Sequence, residues 1–141
     1  MPRPRVSRRD RQVVAERANG RCEYCQSPER FSTQAFAVEH VIPLSRGGLS
    51  VLENLAYACL GCNGHKYNKI EAPDPTDSKL AGLYNPRRQE WRDHFKWSDD
   101  FSHIVGLTPT GRATVSALQM NRPGVVNIRR ALFAIGAHPP A

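Results

Sequence analysis

The stretch CEYCQSPERFSTQAFAVEHVIPLSRGGLSVLENLAYACLGCNGHKYNK, residues 22–69, decides the fold. It opens on Cys22-Glu23-Tyr24-Cys25 and closes around Cys59-Leu60-Gly61-Cys62, with the thirty-three residues 26–58 between the pairs. Two residues between cysteines let both thiolates of a tight knuckle face one ion, and two knuckles supply the tetrahedral sulfur set that zinc prefers. These are all the cysteines of the chain. Paired disulfides belong to oxidising compartments, and a redox Cys-x-x-Cys has no need of a matched second copy. The spacing therefore predicts a structural Zn²⁺ on Cys22, Cys25, Cys59 and Cys62, with no coordination position left open for chemistry.

Between the knuckles, residues 34–42 are rich in branched and aromatic side chains and predict a strand, followed by a turn from Pro43 to Gly48 and a second strand over 54–59. A helix is expected over 60–70, ended by Pro73 and Pro75. On it Cys59, Cys62, Asn63 and Lys66 stand at i, i+3, i+4 and i+7, one stripe. Upstream, Ser7 and Asp10 resemble a capping box that starts a helix over 7–18, and Asn19-Gly20 stops it. Downstream, EAPDPTDS (71–78) is unpatterned and suits a linker. Asn85-Pro86 and Thr108-Pro109 predict helices to about Phe95 and over 109–120, and 125–135 a third, with short strands near Trp97 and 104–107. The aromatic residues Tyr84, Trp91, Phe95, Trp97 and Phe101 are expected to form core there. This divides the chain into a basic arm and helix (1–20), a motif-bearing core (21–70), a linker (71–80) and a mostly helical extension (81–141).

The run Cys22–Lys69 resembles the HNH endonuclease family in its zinc-containing form. The residues that carry the resemblance are Cys22 and Cys25, Glu39 and His40, Pro43 with Gly47 and Gly48, Asn54, Cys59 and Cys62, Asn63 and Lys66, in family order. The resemblance implies an α+β protein built on a ββα-metal core, stapled by the four-cysteine zinc site, preceded by a helix and followed by the small extension. It implies metal-dependent hydrolysis of nucleic acid phosphodiesters. It also implies that Asn54 holds the loop after the histidine and helps to orient it.

The residue types suit that chemistry in their own right. Phosphodiester hydrolysis needs a deprotonated water and a stabilised leaving group. Histidine, with an unperturbed pKa near 6.5, matches the base role near neutral pH, which falls to His40. Glu39 is a hard oxygen donor suited to Mg²⁺ or Mn²⁺, with the Asn63 amide oxygen as second ligand. Adjacent residues of a strand face opposite sides, so the Glu39-His40 pair predicts a distorted backbone. Lys66, a turn beyond Asn63, and Arg46, in the loop after the base, are candidate phosphate contacts; His65 lies near the site.

The 141 residues are 40% hydrophobic and 23% charged, which describes a globular protein and excludes bulk disorder. No apolar run reaches the roughly 18 residues of a membrane span. The first dozen residues carry five arginines and no apolar stretch, which predicts a cytoplasmic rather than a secreted protein. Net charge is +7, distributed as +4 over 1–30, −1 over 31–80 and +4 over 81–141. Basic flanks around a near-neutral centre suggest a nucleic acid partner, gripped by Arg8, Arg9 and Arg11 outside the chemistry, and the family resemblance implies DNA before RNA. Arg87, Arg88, Arg92, Arg112, Arg129 and Arg130 form either a further phosphate-contacting face or solvated surface. One site per chain means that a double-strand break takes a homodimer or two successive nicks. Two rival readings are a zinc-stabilised nucleic-acid-binding module without activity and a protein-interaction zinc module; the latter leaves Glu39, His40, Asn54 and Asn63 unexplained.

Overall fold

Ser7 starts the first helix, α1 (Arg8–Arg17), by accepting a hydrogen bond from Asp10 N at 3.0 Å, and Asn19 and Gly20 close it in left-handed conformation. The computed structural model describes residues 6–141, so the first five residues of the arm lie outside the described part. Val14 points inward, fully buried, and α1 packs on strand β2 (Leu55–Ala58), all four residues of which are buried. Strand β1 (Ala37–His40) pairs antiparallel with β2, setting Glu39 opposite Ala56 and His40 opposite Leu55. Helix α2 (Leu60–Lys66) follows at once, with Cys59 as its N-cap. It ends four residues before the predicted limit, because Tyr67 turns to φ +51 while its N–H closes the helix on Asn63 O.

The stretch expected as an unpatterned linker is a hairpin, β3 (Glu71–Pro73) against β4 (Leu80–Gly82). Its turn is organised by Asp74, whose carboxylate accepts from Thr76 N and Oγ1 while its backbone N bonds Lys79 O. Strands of three residues are too short for alternation to be read. The predicted helix from Pro86 is also reduced: the Asn85 side chain accepts from Arg87 N and Asn85 N donates to Gln89 Oε1 in a single turn, the backbone is extended at Glu90, and only α3 (Trp91–His94) is helical. Strands β5 (Phe95–Trp97) and β6 (Ile104–Gly106) form a third hairpin, followed by α4 (Pro109–Ala117), capped by the Thr108 hydroxyl, and α5 (Pro123–Ala134). The C-terminal part thus carries three helices, with its two short strands at the places expected near Trp97 and 104–107. The architecture as a whole is α+β, with three two-stranded antiparallel sheets among the described residues. One hydrophobic cluster runs from Val14, Tyr24 and Leu55 to Phe95, Leu118 and Met120. Among the described residues no helix is long and apolar enough to cross a membrane.

Asp74, 1% exposed, anchors the hairpin to α4 through Arg112, whose Nε and Nη2 reach its two oxygens at 3.0 and 2.8 Å. Hydrogen bonds from Arg112 and Thr76 hold the Asp74 carboxyl well below the usual carboxylate range. A depressed folded-state pKa contributes stability that is complete above the unfolded value of about 3.9 and is lost as pH falls through the lower folded value. Asp74→Asn should therefore melt at a lower temperature than wild type near neutral pH, with the gap closing in thermal melts taken progressively below about pH 4. A gap that widens on acidification contradicts this.

Candidate functional site

The two cysteine knuckles are built alike: Cys25 N donates to Cys22 Sγ, and Cys62 N to Cys59 Sγ, both at 3.4 Å. All four are free thiols, all are buried, and their sulfurs lie within 4.8 Å of one another, Cys25 and Cys59 at 3.7 Å. The edge of a tetrahedron with Zn–S bonds of about 2.3 Å is about 3.8 Å, so the four sulfurs fit one zinc ion with little movement. Arg122, at the start of α5, donates to Cys59 Sγ at 3.3 Å and approaches Cys62 Sγ at 3.6 Å. Zinc on four thiolates is a doubly negative centre, and this guanidinium offsets part of that charge. Gly61 makes room for it, since a Cβ there would lie 2.5 Å from an Arg122 nitrogen. Arg122 lies sixty residues from Cys62, and nothing in its local pattern marks it as a partner of the cluster.

The β1–β2 ladder runs regularly through His40, so the expected distortion at the Glu39-His40 pair is absent. The bend starts one residue later, where Val41 N bonds Asn54 O at 2.9 Å, and it is carried by Pro43 and by Gly47 at φ +86. Asn54 closes this loop from its far end. Its Nδ2 donates to Ile42 O and Leu49 O at 3.0 and 2.9 Å, and its Oδ1 accepts from Ile42 N at 2.9 Å. Gly48 is required at the closure, because a Cβ would fall 1.7 Å from Ile42 O. Arg17 of α1, which the sequence does not single out, braces the same segment by donating to Leu52 O and Leu55 O at 3.1 and 2.6 Å.

Glu39 turns inward and is 5% exposed. One carboxylate oxygen accepts from the hydroxyl of Tyr24, inside the first knuckle, and the other lies 3.3 Å from Lys66 Nζ. Burial pushes the Glu39 carboxyl up from its ordinary value, opposed by Lys66 and Tyr24; burial and the nearby carboxylate push the Tyr24 hydroxyl well up. Lys66 corrects an expectation. At 1% exposure, with Nζ donating to Val41 O at 2.9 Å and to His40 O at 3.5 Å, it faces the underside of β1 instead of solvent. The i+7 position on the cysteine stripe places it in the interior, where it fastens the His40–Val41 backbone to α2 and is closed to phosphate.

His40 and Asn63 share a cleft of about 380 Å³, bordered also by Glu39, Pro43, Leu44 and Tyr67. His40 Nε2 is 2.8 Å from Ser50 Oγ, a partner the sequence analysis misses because Ser50 sits in an unpatterned turn. The Asn63 amide oxygen is a hard donor of the kind that suits Mg²⁺ or Mn²⁺. The Glu39 side chain, although its residue borders the cleft, is 3% exposed with its two carboxylate oxygens turned to Tyr24 and Lys66, and joins an ion in the cleft only by releasing one of them. Arg46 is exposed beside this cleft, its Nε donating to Asn68 O at 2.7 Å. Arg8, Arg9 and Arg11 are exposed on α1. The C-terminal arginines do not act as one surface: Arg87 pairs with Glu23, Arg112 with Asp74, and Arg129 is buried over Trp97, leaving Arg88, Arg92 and Arg130 exposed. Tyr84 and Phe95 are core, with Trp91 and Trp97 stacked at its edge; Trp91 Nε1 donates to Tyr24 O at 2.8 Å.

Residues 22–69 match the HNH endonuclease family. No curated protein and no solved structure matches the chain. The matched segment begins at the first cysteine and ends just beyond α2, so it contains both knuckles, β1, β2 and the whole cleft.

Proposed function

We propose that the chain is a divalent-metal-dependent endonuclease that hydrolyses nucleic acid phosphodiesters, DNA before RNA. The observation that carries this reading is the cleft shared by Glu39, His40 and Asn63 inside the matched segment. His40 takes the proton of the attacking water onto its imidazole, and Ser50 restrains the ring through Nε2. Asn54 keeps the loop after His40 closed, so the imidazole is presented from a fixed backbone. Lys66 holds the same backbone from below and supplies a positive charge that opposes the upward push of burial on the Glu39 carboxyl. A Mg²⁺ or Mn²⁺ ion on the Glu39 and Asn63 oxygens would supply electrophilic stabilisation of the phosphate and its leaving oxygen. Arg46, Arg8, Arg9 and Arg11 grip flanking phosphates, and Zn²⁺ on the four cysteines staples the fold. A double-strand break takes two copies of the single cleft.

One observation favours a second reading, a zinc-stabilised nucleic-acid-binding module without activity: the Tyr24 hydroxyl and the Lys66 ammonium already engage both Glu39 oxygens. Supercoiled plasmid separates the two. Incubation with the purified chain and Mg²⁺ or Mn²⁺ should yield nicked or linear product, and omission of the added divalent ion, with zinc content verified at one per chain, should abolish it. Binding with no product under any divalent ion supports the second reading.

A further inference from the structure

Tyr67 combines three features that the reading above leaves unused. Its backbone sits at φ +51, ψ −117, a conformation that strains an L side chain and that glycine adopts freely. It is 76% exposed, more than any other large hydrophobic side chain among the described residues. It also borders the cleft of Glu39, His40 and Asn63. Among the described residues its ring packs against no other aromatic ring, and its hydroxyl holds no hydrogen bond. A strained position occupied by a side chain left mostly in solvent is destabilising, and strain of this kind concentrates at functional sites.

The turn that carries the ring is held firmly. Tyr67 N bonds Asn63 O and Lys69 N bonds Lys66 O, both at 3.0 Å, while Arg46 ties Asn68 O to the loop after His40 at 2.7 Å. An aromatic face presented from a held turn beside the cleft has the form of a stacking platform, which binds a base without regard to its identity. Inside a duplex both faces of a base are covered by its neighbours, so such a platform can engage only a base that has left the stack.

We propose that Tyr67 is a nucleobase-stacking residue at the mouth of the cleft, and that the site takes nucleic acid whose base beside the scissile phosphate is unpaired. The proposal rests on the cleft being the nucleic-acid site.

The test uses the full chain carrying His40→Ala, so that binding is measured without cleavage, with a fluorescein-labelled single-stranded DNA and the same sequence as a duplex. Tyr67→Ala should weaken single-strand binding by about tenfold to a hundredfold, the range for removing one stacked base. Tyr67→Trp should retain it, and duplex binding should change less than about twofold in either variant. Tyr67→Gly should lose single-strand affinity like the alanine variant while melting a few degrees above its parent, because glycine releases the strain. Gain of stability together with loss of affinity is a combination that a structural role does not produce. Unchanged single-strand binding in Tyr67→Ala, or equal loss on both DNAs, overturns the proposal. If the chain with Tyr67 intact binds neither DNA and the His40-containing protein cleaves nothing, the nuclease reading falls with it. If wild type cleaves and Tyr67→Ala binds and cleaves equally well, only the stacking role falls.

Discussion

His40→Ala should leave the protein folded and able to bind nucleic acid while lowering the rate of cleavage by about two to four orders of magnitude, the span usual for removing a general base. Retention of the fold is expected because the imidazole carries little of it. His40 is only partly buried, and its backbone is held by the β1–β2 ladder, by Lys66 Nζ on the His40 and Val41 carbonyls, and by the Asn54 clamp on Ile42, two residues further on. Among the bonds lost with the ring is that to Ser50, worth about 1 kcal/mol as a net hydrogen bond. Affinity is expected to persist because the exposed arginines of α1 and the Arg46 loop are untouched. Single-turnover cleavage at saturating protein, with circular dichroism and fluorescence anisotropy on the same samples, separates the contributions. A rate equal to wild type removes His40 from the base role. A collapsed spectrum shows instead that the side chain supports the fold, and His40→Gln, closer in size, then reports the chemical loss.

The parts legible in the sequence are those whose signal is local. Two Cys-x-x-Cys pairs announce four sulfurs on one ion wherever the rest of the chain goes, and they meet within 4.8 Å. Ser7 and Thr108 cap the helices they precede, since a cap needs only the next three residues. What escapes is whatever depends on partners distant in sequence. Lys66 lies on the helical stripe that carries Asn63, and periodicity alone cannot say that the stripe turns under β1 to meet Glu39. EAPDPTDS has the composition of a linker, yet Asp74 finds Arg112 thirty-eight residues later, and that bond makes the segment a hairpin seated on α4. Asn85-Pro86 does start a turn, with the asparagine side chain accepting from Arg87 N and its carbonyl from Gln89 N, but the chain becomes extended at Glu90 (φ −98, ψ 133), and helix resumes only at Trp91. The Glu39-His40 pair fails for a different reason: side chains on opposite faces of a regular strand can still border one cleft when the chain bends just after them, as it does at Val41.

Loss of the zinc ligand set should have the largest effect on stability. Cys62→Ser, or exhaustive chelation of the wild-type protein, is expected to abolish cooperative folding, because binding at a structural zinc site is worth on the order of 10 kcal/mol and the whole stability of a domain is about 5–15 kcal/mol. The structure shows how the loss spreads. Between Cys22 and Cys25, Glu23 accepts from Tyr57 N at 2.8 Å and pairs with Arg87, while Tyr24 engages Glu39 through its hydroxyl and Trp91 through its carbonyl. On the other knuckle, Cys59 and Cys62 receive Arg122 from α5. Releasing the sulfurs therefore frees β2, the buried acid of the cleft and the attachment of the C-terminal helices together, with no partial core left to retain. Arg122→Met is the graded comparison: it keeps all four ligands and removes one compensating charge, so it should lower the melting temperature while leaving zinc content at one per chain. Metal analysis with thermal melts in the presence and absence of chelator measures both. Restored folding should follow Zn²⁺ and not Mg²⁺, since four thiolates reject a hard cation. A folded, cooperative sample containing far less than one zinc per chain contradicts the assignment of the cysteine cluster.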